Sequence, residues 1–316
     1  MKAAVVNILG QPPKFQEFAA PTPEEGEVLV KVRAAGLHPI VKGIASGAHY
    51  SSTGELPMIP GVDGVGMLED GARVYFGLFR KPWGTMAEYA PARRSMCVPL
   101  PDGLDDATAA AIANPGMSAW VSMKERAGLQ AGETVLILGA TGVAGQLAIQ
   151  VARQQGAKRV IAVGRNVDAL RDANVDAVIA LGQPEDAIRE AFAAEAALGI
   201  DVIVDYLWGR PTELLLEALA KGFKVSATHS TRLVEVGASA GGTITLPAAI
   251  LRSIDLTLLG SGFGAASIEE ILAAIPNLFE MAAKGALKID IERVPLTDVE
   301  SAWGHAEKGT RLVFTL

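Results

Sequence analysis

Thr134-Val135-Leu136-Ile137-Leu138-Gly139-Ala140-Thr141-Gly142-Val143-Ala144-Gly145 is the stretch on which the fold turns. Its first five residues carry no charge and are rich in branched apolar side chains, as a short strand buried on both faces does. Glycines follow at 139, 142 and 145, and Gln146–Gln155 then carries apolar residues at helical spacing. A strand that hands over to a helix through a glycine turn can hold a diphosphate. The turn must lack Cβ atoms to let the anion approach, and the free N–H groups of the helix start must face it. The G-x-x-G-x-x-G spacing is a variant of the dinucleotide fingerprint, and it marks Gly139, Thr141, Gly142, Val143 and Gly145 as cofactor contacts. Alone such a heptad is only a tight loop; its setting between strand and helix makes it a site.

Strands and helices alternate outward from this unit. Arg159–Val163, Val178–Leu181, Asp201–Asp205, Lys224–Ala227 and Leu256–Leu259 are candidate strands. The pattern predicts an α/β fold, a doubly wound parallel sheet with helices on both faces. The choice of dinucleotide is read about 20 residues past the fingerprint, where a carboxylate would bind the ribose diol of NAD. Here the second strand runs into Gly164-Arg165-Asn166, and no carboxylate follows until Asp168. Arg165 offers planar donors to a 2′-phosphate, so NADPH is expected over NADH, with Asn166 beside it.

The N-terminal part has another texture. Val28–Arg33 alternates apolar and charged residues, Arg73–Phe76 follows a turn at Gly71, and Gly61, Gly64 and Gly66 read as a bend. These features predict an antiparallel, partly barrel-like lobe, which gives way to an Ala-rich helix around Asp105–Ala113. Near the C-terminus, a helix at Ile268–Ala283 and strands at Ile289–Pro295 and Arg311–Leu316 are too few for a third core and are expected to return to the first lobe. The 316 residues thus suit two lobes.

Composition excludes several classes. With 28 basic against 35 acidic residues the net charge is −7, which repels phosphate backbones and makes nucleic acid an unsuitable partner. The single cysteine, Cys97, precludes an internal disulfide or a Cys-rich zinc lobe and fits a reducing compartment. The most apolar run, Leu246–Gly264, is broken by Arg252 and Asp255, so no membrane span is expected. The start, MKAAVVNILG, reads as a strand rather than a secretory leader. Together these make a cytoplasmic location the default expectation.

With the fingerprint located, three further segments fall into a recognisable order: Pro57-Met-Ile-Pro60-Gly61-Val-Asp63-Gly64-Val-Gly66, Asn114-Pro-Gly-Met-Ser118-Ala-Trp120 and Arg232-Leu-Val-Glu-Val-Gly237. They resemble the medium-chain dehydrogenase/reductase superfamily, in its zinc-free quinone oxidoreductase and enoyl reductase branch, over nearly the whole chain. The resemblance implies a GroES-like catalytic domain over residues 1–115, completed by 260–316, and a Rossmann domain over 116–259. It further implies a homodimer joined through the Rossmann domains. Asn114, Ser118, Leu207, Gly237 and Ser261 match positions that touch the cofactor, the last two through backbone.

Where zinc members have a cysteine, a histidine and a last ligand, this chain has His38, Val62 and Asn114. One imidazole, an aliphatic chain and an amide cannot hold zinc, even with Asp63 added. Without a Lewis acid the expected substrates are those that accept hydride readily, quinones and α,β-unsaturated carbonyls, which need orientation and a hydrogen bond at the developing oxyanion. Tyr50, where the branch has its Gly-x-Tyr, and His38 are the candidate donors; each also reads as a residue that only lines the pocket. His49 is expected to be solvated. Asn114-Pro and Tyr50 leave an enoyl-thioester reductase open, and a non-catalytic NADPH-binding sensor or scaffold is the third reading. Gly237-Ala-Ser239-Ala-Gly241 matches the serine hydrolase elbow, but Gly242-Thr-Ile-Thr suits an extended segment where an elbow needs a helix.

Overall fold

Residues 1–77, 80–170, 173–221, 230–262, 264–305 and 309–316 are described by the computed structural model. They cluster into two units, Met1–Asn114 with Ile275–Leu316, and Pro115–Ala274.

In the first unit, β1 (Lys2–Val5) pairs antiparallel with β2 (Lys14–Glu17). The ten-residue β3 (Glu27–Gly36) leads into helix α1 (Pro39–Ser46), which Pro39 starts, and then into β4 (Asp63–Met67), β5 (Arg73–Gly77), β6 (Tyr89–Arg93) and β7 (Val98–Pro99). Strand β3 pairs antiparallel with both β4 and β6. The segment around Gly61–Gly66 is therefore no bend. It enters strand β4, and its glycines admit the backbone of β3: a Cβ on Gly66 would lie 2.4 Å from the Lys31 carbonyl oxygen, and one on Gly64 2.9 Å from that of Ala34. The register shifts between Val32 and Ala34, where this close approach occurs. Val30, Val32, Val74 and Phe76 bury one face of the sheet, while Ala3, Val5, Leu37, Met86 and Phe314 fill a second cluster.

Helix α2 (Asp106–Val121) carries the chain out of the first unit, with Pro115 inside it. The second unit then runs β8 (Thr134–Leu138), α3 (Val143–Gln154), β9 (Arg159–Gly164), β10 (Ala177–Ala180), α4 (Glu185–Leu198), β11 (Val202–Asp205), α5 (Arg210–Lys221), β12 (Ser230–Glu235), α6 (Ala248–Ser253) and β13 (Asp255–Gly260). The strands are ordered β10-β9-β8-β11-β12-β13, and each neighbouring pair is parallel. This is the doubly wound α/β sheet expected from the alternation, with its order reversing between β8 and β11. The expected strand at Lys224–Ala227 lies outside the described residues, and the fifth strand of the sheet is Ser230–Glu235. Leu136, Leu138, Ile161, Val163, Ile203 and Leu233 on the strands pack with Phe192 and Leu215 of the helices.

Helix α7 (Ile268–Ala283) returns the chain to the first unit at Ile275, rather than at 260, and contains Pro276. Strands β14 (Asp290–Pro295) and β15 (Thr310–Thr315) then extend the first sheet, β15 pairing antiparallel with β3.

Candidate functional site

In an open parallel sheet, ligands bind beyond the carboxyl ends of the strands, at the point where the strand order reverses. That point lies between β8 and β11, and the glycine heptad occupies it. Gly139 leaves β8 at φ +87°, a conformation open to glycine at no steric cost. Its N–H and that of Ala140 donate to the Val163 carbonyl at 2.9 and 3.0 Å, tying the turn to β9. A Cβ on Gly145 would lie 2.3 Å from the Gly139 carbonyl oxygen, so the third glycine lets helix and turn touch. A Cβ on Gly142 would meet only that same oxygen, at 3.5 Å. Gly142 caps α3 in an extended conformation with no side chain over the helix start. The N–H groups of Val143, Ala144 and Gly145 accordingly have no acceptor among the described residues. A glycine-walled turn with open amides fits a dinucleotide diphosphate.

The other cofactor candidates of this unit line up along the same edge. Arg165 and Asn166 follow β9 and are exposed, and Arg165 makes no hydrogen bond or ion pair with another described residue. The carboxylate of Asp205, buried at the end of β11, accepts from the N–H groups of Leu207 at 2.8 Å and Trp208 at 2.9 Å, and from Thr212 Oγ1 at 2.5 Å. These bonds hold the turn that sets Leu207 and Tyr206 against Gly139, each 3.2 Å from where its Cβ would be. Burial nevertheless pushes the Asp205 carboxyl above its ordinary value, and burial with the nearby Asp205 charge does the same to Glu235 on β12. The Asp205 carbonyl accepts from the Gly237 N–H, and the Glu235 carbonyl from that of Ser261.

A π-helical turn, Ser122–Arg126, continues α2. Ser122 Oγ donates to the Ser118 carbonyl at 2.6 Å and lies 2.9 Å from Ser261 Oγ, while Arg126 Nε donates to the Gly260 carbonyl at 2.8 Å. Ser118 and Ser261, 143 positions apart in motif but neighbours in space, are thus coupled through a serine that sequence reasoning did not single out. Asp205, Tyr206 and Glu235 were missed as well; the available signal was an acid ending an all-apolar strand. Asn114 lies on α2 in the first unit. Ser239 Oγ donates to the Tyr206 carbonyl, and no helix begins until Ala248, so the hydrolase elbow is absent.

The two candidate proton donors have opposite settings. His38 precedes α1 and is 0% exposed, its Nε2 3.3 Å from Asp63 Oδ1. Tyr75 OH donates to the other oxygen of Asp63 at 2.9 Å, and burial together with that carboxylate holds the phenol far above its usual pKa. Tyr50 is 71% exposed, with its ring centroid 4.1 Å from that of His49. His49 is not solvated as expected but half-buried, with Nδ1 2.8 Å from Ser51 Oγ. Val62, at the second of the three zinc-ligand positions, packs against the core. Among the described residues no three His, Cys, Asp or Glu side chains are grouped as a metal ion would need.

No protein-family model matches the chain. It is 28% identical to a probable NADPH-dependent quinone reductase of Emericella nidulans across 99% of both chains. It is 32% identical to the quinone oxidoreductase of Lama guanicoe over 75% of each. Among solved structures, the quinone oxidoreductase of Thermus thermophilus, determined also in complex with NADPH, aligns over 100% of both chains with a TM-score of 0.79 and 28% identity.

Proposed function

The chain belongs to the quinone oxidoreductase family of the medium-chain dehydrogenase/reductase superfamily, and from that membership we propose that it is an NADPH-dependent, zinc-independent oxidoreductase acting on quinones or α,β-unsaturated carbonyls. The observation that carries the reading is the glycine turn with three unclaimed amides beside the uncommitted Arg165. When bound, NADPH supplies a hydride; with one proton this turns a quinone into its hydroquinone and leaves NADP⁺. The chain's own part is to bind and orient. Val143, Ala144 and Gly145 N–H groups face the diphosphate, and Arg165 with Asn166 receives the 2′-phosphate. Ser118, Leu207, Gly237 and Ser261 are the remaining cofactor contacts of the second unit, and Asn114 is the one assigned from the first. Tyr50, exposed, is the proton or hydrogen-bond donor to the substrate oxygen, and His38 takes the structural role of filling the space beside Asp63. Zinc independence is supported by the donor set, one buried imidazole with Val62 and Asn114.

A homodimer is supported by β13, an edge strand of the second sheet whose Leu258 is 37% exposed. No described helix is long and apolar enough to cross a membrane. We assign the protein to the cytoplasm, a reducing compartment suited to its free Cys97.

Stopped-flow absorbance at the reduced-nicotinamide band, with simple quinones and enones as acceptors, tests the reading. Oxidation of NADPH by at least one quinone is expected, and its absence with every acceptor would overturn it. The exposed phenol of Tyr50 also suits an enoyl-thioester reductase. In that case acyl-CoA thioesters would far outperform quinones and Tyr50→Phe would lose most turnover. Cofactor binding without any turnover would instead identify a sensor or scaffold.

A further inference from the structure

The π-helical turn that continues α2 fastens the exit of β13. Arg126 Nε donates to the Gly260 carbonyl at 2.8 Å, and the Ser261 N–H donates to the Glu235 carbonyl at 2.8 Å, so the backbone is held on both sides of that exit. Ser122, 0% exposed, adds a side-chain link. Its Oγ lies 2.6 Å from the Ser118 carbonyl oxygen and 2.9 Å from Ser261 Oγ. The direction of the hydrogens follows from counting. A serine hydroxyl has one proton and two lone pairs, and a carbonyl oxygen can only accept. Ser122 therefore directs its proton to the Ser118 carbonyl, and the hydrogen between the two serines belongs to Ser261. Ser261 is half-buried, and its hydroxyl has no other partner among the described residues. Toward anything that binds beside it, Ser261 Oγ presents lone pairs and no proton. The buried Ser122 makes it an acceptor.

We propose that Ser122 is a positioning residue that fixes Ser261 Oγ as the acceptor for an N–H of the cofactor's nicotinamide carboxamide. The proposal rests on the NADPH reading and deepens it, from a backbone contact at Ser261 to one made by the side chain. The sheet order decides which end of the cofactor is meant. Arg165 follows β9 and Ser261 follows β13, four strands away in the order β9-β8-β11-β12-β13, which is roughly 19 Å at the usual strand spacing. A nicotinamide dinucleotide has amino groups at two places only, the adenine and the carboxamide. With the 2′-phosphate of the adenosine half at Arg165, the amino group left for the β13 edge is that of the carboxamide. An acceptor without a proton suits that group and discriminates against a ketone in its place, which has an oxygen to accept with and no N–H to give.

The test is calorimetric titration of wild type, Ser261→Ala and Ser122→Ala with three ligands. These are NADP⁺, its acetylpyridine analogue, in which a methyl ketone replaces the carboxamide, and 2′,5′-ADP, which lacks the nicotinamide half. Wild type should bind NADP⁺ about fivefold tighter than the analogue, as one hydrogen bond is worth. Ser261→Ala should remove most of that preference by weakening NADP⁺. Ser122→Ala should remove it by the opposite route. The freed Ser261 proton turns to the ketone, and the analogue binds about two- to threefold tighter than it does to wild type. Binding of 2′,5′-ADP reports the glycine turn and Arg165, and should stay within about twofold of wild type in both variants. Retention of the wild-type preference in either variant overturns the proposal. So does a wild type that binds NADP⁺ and the analogue alike, or a fall in 2′,5′-ADP affinity that parallels the fall in NADP⁺. Any of these results with 2′,5′-ADP bound by wild type leaves the NADPH reading standing. A wild type that binds none of the three ligands sinks that reading and this proposal together.

Discussion

Arg165 and Gly145 would serve the proposed cofactor site in different ways. The Arg165 guanidinium has no described partner, so its removal costs the fold little and should be felt by a 2′-phosphate alone. Arg165→Ala is expected to weaken NADPH by about tenfold or more while leaving NADH within about twofold, measured by fluorescence titration of both. Equal affinity of wild type for the two dinucleotides would refute the assignment. Gly145 acts by absence: a Cβ there would lie 2.3 Å from a backbone oxygen that cannot swing away. Gly145→Ala should cost about 1–3 kcal/mol in urea unfolding and displace the helix start that faces the diphosphate. Asp205 is buried and its carboxyl is raised above the ordinary value of 3.8, chiefly by desolvation. Folding therefore takes up a proton there, so the group's contribution to stability is full in acid and declines as pH rises from about 4 through its folded value. Asp205→Asn should flatten that part of the stability–pH curve, seen in urea midpoints across the range, while losing one of three accepted hydrogen bonds. The glycine turn between β8 and α3 was legible because its steric need sits at fixed spacing. His49 was not: its half-burial depends on Gly43 and Ser51, contacts made only once α1 and the following loop have folded.

Elements were read best where periodicity and turn chemistry agreed. Strand β8 and helix α7 carry the bounds that their apolar patterns imply, since a charge-free run and an amphipathic stripe each have one stable burial. Strand β4 was mistaken for a bend because glycine ordinarily breaks strands; here it serves the approach of β3, a cause that lives in the partner strand. The π turn at Ser122–Arg126 had no sequence signal, because its extra residue is accommodated by hydrogen bonds to Ser261 and Gly260, far along the chain. Strand β13 makes the prediction proper to this scale. Its outer edge pairs with no other described strand, and Leu258 and Leu251 are exposed. Leu258→Glu should shift the protein from dimer to monomer in light scattering after gel filtration, with like charges meeting across a two-fold axis. A wild type that is monomeric at all concentrations would remove the dimer from the reading.

At the scale of the whole molecule, alternation of strand and helix revealed the parallel sheet, and the change of texture near residue 105 revealed a second unit. The point of return was harder to read: α7 is one unbroken apolar pattern, and a boundary inside it leaves no mark in composition. Both crossings between the units fall within helices, and each has a proline at or next to the boundary, Pro115 in α2 and Pro276 in α7. A proline offers no N–H to the preceding turn, so each link is missing a rung where it joins two separately filled interiors. Unfolding should then be weakly coupled across those links, and the protein should melt in two calorimetric steps rather than one. Saturating NADPH should raise chiefly the step of the unit bearing the glycine turn, by about 2.7 kcal/mol at a hundredfold excess over Kd. In such a molecule a lesion in one interior need not spoil the other, and the half holding the nucleotide can outlast its neighbour.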